Sequence, residues 1–395
     1  MSYFRQSLVN KLGLIVTGLS LACGLFLLPC CADIYKYFIL LAACVFTFFS
    51  YKSWDFCTVR EKLICFFTPW VPWYLSIFIL IFIYGIHGFS IYINALFIML
   101  LVFMVLQRYQ LTRKQVITAF ALNLLVLSLA SIITVLFFGL SDYILGINKN
   151  KLIGGASLLT SCCLMELIIN SQNYSRKSLL LIALSVFLSL VAIVLTEVRT
   201  AILALIAIVP FAVFFKRQNR MKWFFILAVI LGIVIALFIF SGRLQQGLND
   251  LLNYQQGNSR TSWGLRIEFW KFAFQAFLAK PILGWGYQPF SDIVAAGIPF
   301  GIPDIKEVQH FHSDYFNILA TGGLVGILCW LFSVLLLLKK SLHDPVRFIL
   351  IIAILAIGLS ERYWFYNQSV LFLFVSMWVL LHCSSSSESR IKTND

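Results

Sequence analysis

A few polar residues of this chain stand at or near apolar runs, where such residues are costly and are functional candidates. Arg199 stands in Thr196-Glu197-Val198-Arg199-Thr200, between two apolar runs, and Arg266 stands in a loop four residues before Trp270. His310 and His312 stand in Val308-Gln309-His310-Phe311-His312-Ser313-Asp314-Tyr315, immediately before another apolar run. An arginine fork makes bidentate, permanently charged hydrogen bonds to phosphate oxygens. A histidine, with an ordinary pKa of about 6.5, can take the proton from an attacking hydroxyl. Each residue also has a plainer reading. Arg199 could anchor a helix end beside Glu197, and Arg266 could be a solvated charge on a first helical turn. His312 could be a satisfied interfacial histidine and Asp314 a helix cap. His312 adjoins the helix expected from Asp314, which fixes its backbone better than that of His310. Asp314 is the second candidate for the base, or orients the imidazole.

Other chemistries are missing from the sequence. It has no phosphate-binding Walker loop, no Gly-x-Gly-x-x-Gly between a strand and a helix, and no Asp-x-Asp pair. The ten cysteines form no Cys-x-x-Cys and no zinc spacing, and most lie in apolar runs as small hydrophobes. No cofactor or metal is expected. Glu166 is a lone acid within an apolar run, open to a proton-relay role or to pairing with a neighbouring helix. Glu361-Arg362 reads as a local ion pair.

These residues must be positioned by a membrane bundle. Of 395 residues, 61% are hydrophobic and only 12% charged, with mean hydropathy +0.92. A soluble domain carries about 25% charged residues, so a water-coated globule is excluded. A spanning helix needs about 20 apolar residues. Twelve runs qualify: Leu12–Cys30, Ile34–Tyr51, Leu63–Ile86, Ser90–Gln107, Val116–Phe138, Gly154–Ser171, Ser178–Thr196, Thr200–Phe215, Trp223–Ser241, Asp314–Leu338, Val346–Ser360 and Tyr366–His382. With the N-terminus inside, nineteen Lys and Arg fall in cytoplasmic segments and five in short outside loops. That asymmetry sets the orientation, with both termini cytoplasmic, and explains the net charge of +14 without nucleic acid. The chain divides into nine spans (1–241), one long outside loop (242–313) and three spans with a tail (314–395).

Within the loop, Arg243–Gln256 and Leu265–Ala279 have helical spacing. The second helix carries a polar stripe of Glu268, Lys271 and Gln275 and an apolar one of Trp270, Ala273, Phe274 and Phe277, with Arg266 at the head of the apolar stripe. Such a helix lies on the membrane surface or caps the bundle. Lys280-Pro281 ends it, Gly284-Trp285-Gly286 makes a tight turn, and Ile293–Ile305 reads as irregular. Gly322, Gly323 and Gly326 put small residues on one side of the span after His312, where they permit close helix packing.

His312-Ser313, nine residues and then Gly323-x-x-Gly326 resembles the signature of bacterial O-antigen ligases. Arg199-Thr200-Ala201 after the seventh span, and Arg266-x-x-x-Trp270 followed by Pro281-x-x-Gly284-Trp285-Gly286, agree with it. Ile327 departs from the smaller or polar residue often found there. The resemblance implies an all-α polytopic membrane protein of the GT-C-like glycosyltransferase kind in the bacterial inner membrane, with a periplasmic active site. It implies transfer of O-antigen polysaccharide from undecaprenyl diphosphate to lipid A–core oligosaccharide, without nucleotide or metal. Arg199 and Arg266 would hold the diphosphate and His312 would be the base, with Asp314, His310 and Glu197 in support. An O-antigen polymerase is the nearest alternative, and a lipid or ion transporter using Glu166 and the mouth arginines a further one.

Cysteines introduced one at a time into a chain lacking its native ones, and labelled on whole cells with an impermeant thiol reagent, test the charge-based orientation. Sites in 242–313 should label and sites in Lys216–Lys222 should not.

Overall fold

The computed structural model describes residues 61, 63–64, 66–85, 89, 92–93, 95–96, 112–140, 143–144, 147–214, 227, 241–286, 290–302, 311–361, 374–375 and 377–382. The expected spans Leu12–Cys30 and Ile34–Tyr51 lie outside these residues. So do most of Ser90–Gln107 and Trp223–Ser241 and the first half of Tyr366–His382. His310, Arg362 and the side chain of Arg199 are also outside.

The described chain is almost wholly helical. A 3-10 turn, Thr68–Trp70, leads into α1 (Val71–Tyr84); α2 is Arg113–Phe138, α3 Lys149–Asn170, α4 Arg176–Thr196 and α5 Arg199–Phe214. The loop supplies α6 (Ser241–Gln255), α7 (Ser262–Ala279) and the short α8 (Phe290–Ala295); α9 (Asp314–Ser341) and α10 (Pro345–Gly358) follow. A two-residue hairpin, β1 (Tyr143–Ile144) against β2 (Ile147–Asn148), joins α2 to α3. Among the described residues, four stretches are long and apolar enough to cross a membrane: α2, Leu152–Asn173, α4 and α9. Thr68–Tyr84 and α10 are shorter apolar helices. Capping extends α2 beyond its apolar run. The Thr112 hydroxyl accepts from the Gln115 amide, and Gln115 accepts from the Thr112 amide at 2.9 Å.

α3 is the centre of the bundle, packed by α2, α4, α5 and α10. Its Gly154-Gly155-Ala156-Ser157 stretch and its Ser161, Cys162 and Cys163 are all buried, small enough to admit four neighbours. Its hydroxyls are satisfied: Ser161 donates to the Ser157 carbonyl at 2.6 Å, and Thr160 and Ser189 of α4 share a hydrogen bond of 2.6 Å.

One end of the bundle is pinned by a buried ionic network. Arg113 grips Asp344 through two nitrogens at 2.9 Å and reaches Glu166 at 3.3 Å. Tyr174 and Asn170 donate to the other Glu166 oxygen at 2.9 and 3.2 Å. Asp344 also takes Arg347 at 2.9 Å, and Arg347 meets His382 Nδ1 at 2.8 Å. Glu166 is therefore paired with a neighbouring helix, the second of its two sequence readings.

The loop has an aromatic core of its own: Phe269, Phe272, Trp285, Phe290 and Phe311, with Ala273, Ala276, Ile293 and Ala320. This corrects two expectations. The segment read as irregular from Ile293 begins inside α8, and Phe300 beyond it stacks on Phe269 with ring centroids 5.5 Å apart. The inward face of α7 is Phe269, Phe272, Ala273 and Ala276, whereas Phe274 is half exposed. The helix packs on α9 and on the loop's own aromatics, so its buried face is turned from the stripe that a flat membrane surface would select. Trp270 stacks on Phe316 of α9 at 5.4 Å. Part of the polar stripe is spent inside the loop: Glu268 and Lys271 both bond the Tyr254 hydroxyl of α6. Burial and then the Glu268 bond push the Tyr254 phenol up, and the Tyr254 bond raises the Lys271 ammonium.

The glycines of α9 do more than permit packing. Gly323 has φ 58° and ψ −154°, so the helix is broken there. The main chain of Pro281–Gly286 occupies the break. The Trp285 and Gly286 amides donate to the Ala320 and Thr321 carbonyls at 2.9 Å, and the Leu324 and Val325 amides donate to the Pro281 and Ile282 carbonyls at 2.8 and 3.1 Å. Tyr84 of α1 donates to the Gly284 carbonyl at 2.7 Å. A Cβ on Gly323 would come within 2.6 Å of the Gly284 nitrogen and the Ile282 oxygen, while one on Gly322 would meet Leu80 at 3.6 Å and Ile318 at 3.9 Å, ordinary contacts.

The neighbouring glycines should therefore differ sharply. Backbone conformations of this kind cost a side chain about 1–3 kcal/mol before any clash. Gly323→Ala should lower the unfolding temperature of the purified protein by several degrees, and Gly322→Ala should stay close to wild type.

Candidate active site

The candidate residues gather at the end of the bundle opposite the ionic network. His312 precedes Ser313, the N-cap of α9, and its backbone is left-handed at φ 50°. Glu197, the C-cap of α4, has φ 56°. These are the two non-glycine residues of positive φ among the described residues. L-residues adopt this conformation at a cost that surrounding contacts must sustain, and such residues cluster at functional sites.

The contacts around His312 are specific. Asn317, one turn into α9, accepts from the Phe311 amide at 3.3 Å and donates to the Ser313 carbonyl at 2.6 Å. One side chain thus holds both neighbours of the histidine. The Ser313 hydroxyl donates to the Gly358 carbonyl of α10 at 3.3 Å. The imidazole stacks on Phe269 of α7, with centroids 5.5 Å apart and planes 27° apart.

Glu361, just beyond α10, brings the two halves of the site together. Arg266 donates to its Oε1 at 3.2 Å, and His312 Nδ1 lies 3.9 Å from its Oε2. The Arg266 guanidinium also lies 5.9 Å from the centre of the Trp263 ring. Glu361 thus has partners from α7 and from the start of α9, while the Glu361-Arg362 pair read from the sequence lies outside the described residues at Arg362. The imidazole side chain is 31% exposed, enough for one face to meet a ligand, while those of Arg266 and Glu361 are 17% and 14% exposed.

Asp314 is the first residue of α9 and is buried, although the N-cap position belongs to Ser313. Its carboxylate fills the space that Gly358 leaves by having no Cβ, since a Cβ there would stand 2.6 Å from Asp314 Oδ2. The runner-up base is thus set deeper than the histidine.

Arg199 opens α5, which packs against α10. Phe211 of α5 and Phe348 of α10 meet with centroids 5.2 Å apart. From that contact the two chains run to this end over twelve residues each, about 18 Å at 1.5 Å per residue, so the Arg199 backbone comes level with Ser360. The structure assembles His312, Arg266 and Asp314 around Glu361 and Gly358, and places the α4–α5 junction that holds Glu197 and Arg199 at the same end of the bundle. Sequence reasoning missed Asn317, Phe269 and the bridging role of Glu361. The one available signal was an Asn four residues after Ser313 in an apolar run.

In all, the arrangement offers a guanidinium donor, a carboxylate and a partly exposed imidazole at one mouth, a set suited to anion binding and proton transfer. No curated protein matches the chain. Residues 184–331 match the family model described as O-Antigen ligase. The matched stretch carries Glu197, Arg199, Arg266, His310, His312 and Asp314 and ends before Glu361. Family members are glycosyltransferase-like enzymes of lipopolysaccharide assembly and comprise both ligases and polymerases. Over this stretch, which is less than half of its length, the chain is similar to the O-antigen ligase family.

Proposed function

We propose that the protein is an O-antigen ligase. It transfers the polysaccharide from undecaprenyl diphosphate to a sugar hydroxyl of lipid A–core oligosaccharide, at the periplasmic face of the inner membrane. The observation that carries the reading is the bridge from Arg266 through Glu361 to His312. It brings a phosphate-binding group and a base within one side chain's reach, from elements far apart in sequence.

The diphosphate is both activator and leaving group, so the reaction needs no nucleotide. Arg266, with Arg199, binds the diphosphate and stabilises the charge that grows on the leaving oxygens. His312 takes the proton of the acceptor hydroxyl as that oxygen attacks the anomeric carbon from the opposite side, inverting it. Glu361 has two partners to serve. A phosphate that draws Arg266 away leaves the carboxylate to the imidazole, where it can accept from Nδ1 and support the imidazolium, as the carboxylate of a catalytic triad does. Donor binding thereby prepares the base.

The reading makes linked predictions. His312→Ala should lower turnover by about 10²–10⁴-fold, the usual contribution of general-base catalysis, and still bind the lipid-linked donor. Asp314→Asn should keep more activity than His312→Ala; the reverse order would transfer the base role to the carboxylate. Arg266→Ala loses a charge-assisted hydrogen bond of about 1.5–3 kcal/mol, so turnover at subsaturating donor should fall tenfold or more. EDTA should leave ligation by the purified protein intact, and inhibition reversed by one specific metal would contradict the mechanism.

A deletion strain separates ligase from polymerase. Complete core without a long-chain ladder, together with accumulated lipid-linked polymer, is expected. Loss of the polymer itself would make the protein the polymerase.

A further inference from the structure

Phe311-His312-Ser313 links the aromatic core of the loop to the first turn of α9. Contacts of side chains hold the link in place. Phe311 is buried against Phe272 and Phe290, with ring centroids 6.0 and 6.1 Å away, and the Ser313 hydroxyl reaches the Gly358 carbonyl. The stack on Phe269 orients the plane of the imidazole. The main-chain path through His312, left-handed at φ 50°, decides where its Cα–Cβ bond points. A residue with a side chain keeps such a conformation only where its surroundings impose it.

Asn317 supplies that constraint from both sides of the histidine. Its Oδ1 accepts from the Phe311 amide at 3.3 Å, and its Nδ2 donates to the Ser313 carbonyl at 2.6 Å. The partners dictate which way the carboxamide faces, because a peptide N–H only donates and a carbonyl only accepts. Leucine has a similar shape and neither group. Asn123 of α2 shows what a buried asparagine within a helix ordinarily does: it donates to the Ala119 carbonyl, four residues back, at 3.0 Å. Asn317 makes that local bond as well, and its second bond reaches six residues back, past the helix cap. The side chain is anchored in turn. It stands on residues 314–322, between the cap of α9 and the break at Gly323. Its own carbonyl accepts from the Thr321 hydroxyl at 2.6 Å, and the Thr321 carbonyl accepts from the Gly286 amide.

We propose that Asn317 is a positioning residue for the reaction. Its carboxamide fixes the left-handed turn at His312 and so aims the imidazole at the mouth shared with Arg266 and Glu361. At 5% exposure it is too buried to meet a substrate and acts through the histidine. The proposal rests on the reading of His312 as the base.

Purified full-length protein in lipid nanodiscs is assayed for transfer from the lipid-linked donor to lipid A–core, with donor affinity and unfolding temperature measured on the same samples. The variants are Asn317→Leu, Asn317→Gln and His312→Ala, each Asn317 change combined with His312→Ala, and Asn123→Leu as a control; residual turnover is read over long incubations. Displacing a reacting group by about 1 Å costs about 10²-fold, so Asn317→Leu should lower kcat by about that factor while KM and donor affinity stay at their wild-type values. Asn317→Gln keeps both polar groups on a longer stem and should fall between. Asn123→Leu should turn over as wild type does. In the His312→Ala background neither Asn317 change should cost anything further, because no imidazole is left to aim. Should the leucine variant fail to insert, the glutamine variant carries the same comparison. Wild-type kcat in both Asn317 variants, or an equal loss with and without the imidazole, overturns the proposal while a dead His312→Ala leaves the base reading standing. If His312→Ala itself transfers at the wild-type rate, the base reading falls and the proposal with it. If wild type extends the lipid-linked glycan instead of transferring it to lipid A–core, the ligase reading falls, and a loss of extension in Asn317→Leu only where His312 is present upholds the proposal.

Discussion

Backbone amides and carbonyls cannot be left without partners in an apolar bundle, and at Gly323 this requirement ties the loop to the membrane helices. A break in a spanning helix exposes groups that each cost several kcal/mol in hydrocarbon. Here Pro281–Gly286 supplies a donor or acceptor to every one of the four groups from Ala320, Thr321, Leu324 and Val325. Each such bond contributes about 0.5–1.5 kcal/mol net, but leaving it unmade costs more, so the exchange holds as a unit. The consequence reaches the site. α7 carries Arg266 and ends in the clamp, and α9 carries His312 at its start and is broken by the clamp. The two groups are thereby fixed to one rigid corner, with Trp270 on Phe316 and Phe269 on the imidazole as further ties. A discontinuous helix is also a feature of transporters, where unwound backbone faces the cargo. In this protein the unwound backbone is occupied by the chain's own loop.

The two ends of the bundle use charge in opposite ways. At one end Arg113 and Arg347 meet Glu166 and Asp344 in a buried network whose formal charges cancel. Such a network gains little over apolar packing, yet breaking one member leaves an uncompensated buried charge costing about 3–5 kcal/mol. It specifies which helix ends meet and asks nothing of a ligand. At the other end one carboxylate, Glu361, serves a guanidinium and an imidazole together. The local balance can change there when an anion arrives.

Much of this was legible in the sequence because it follows from hydrophobic period and local stops. The runs Val116–Phe138, Ser178–Thr196 and Asp314–Leu338 became helices shifted by at most a few residues, each extension traceable to a cap or a neighbouring polar turn. Lys280-Pro281 ended α7 as read, and both glycines of Gly284-Trp285-Gly286 took positive φ. What period could not supply was tertiary. The buried face of α7 is decided by α9 and Phe300, neither visible from its own spacing. Glu361 is bonded by Arg266, ninety-five residues away, a pairing that its own neighbours in sequence do not show. Gly323 reads as one of three small residues on a helix face; its conformation depends on a strand of loop that no local pattern announces. His312 and Arg266 were found by motif and not by physics, since an Arg on a first turn and a His before a helix are each ordinary.

The site is the part of the molecule where local rules are broken, and the breaks share one direction. Two L-residues, Glu197 and His312, sit in a backbone region suited to glycine. Two buried hydroxyls, Thr200 and Ser360, have no partner among the described residues. A carboxylate stands at ion-pair range of an imidazole but beyond hydrogen-bond reach. Each of these is destabilising alone, by about 1–3 kcal/mol for the strained backbone or an unmade buried bond. Together they are tolerable because α3 and the Gly323 clamp over-determine the scaffold around them. Buried donors held short of satisfaction keep their interaction energy for the complex in which charge develops. That is where stabilisation raises a rate instead of merely tightening a ground state.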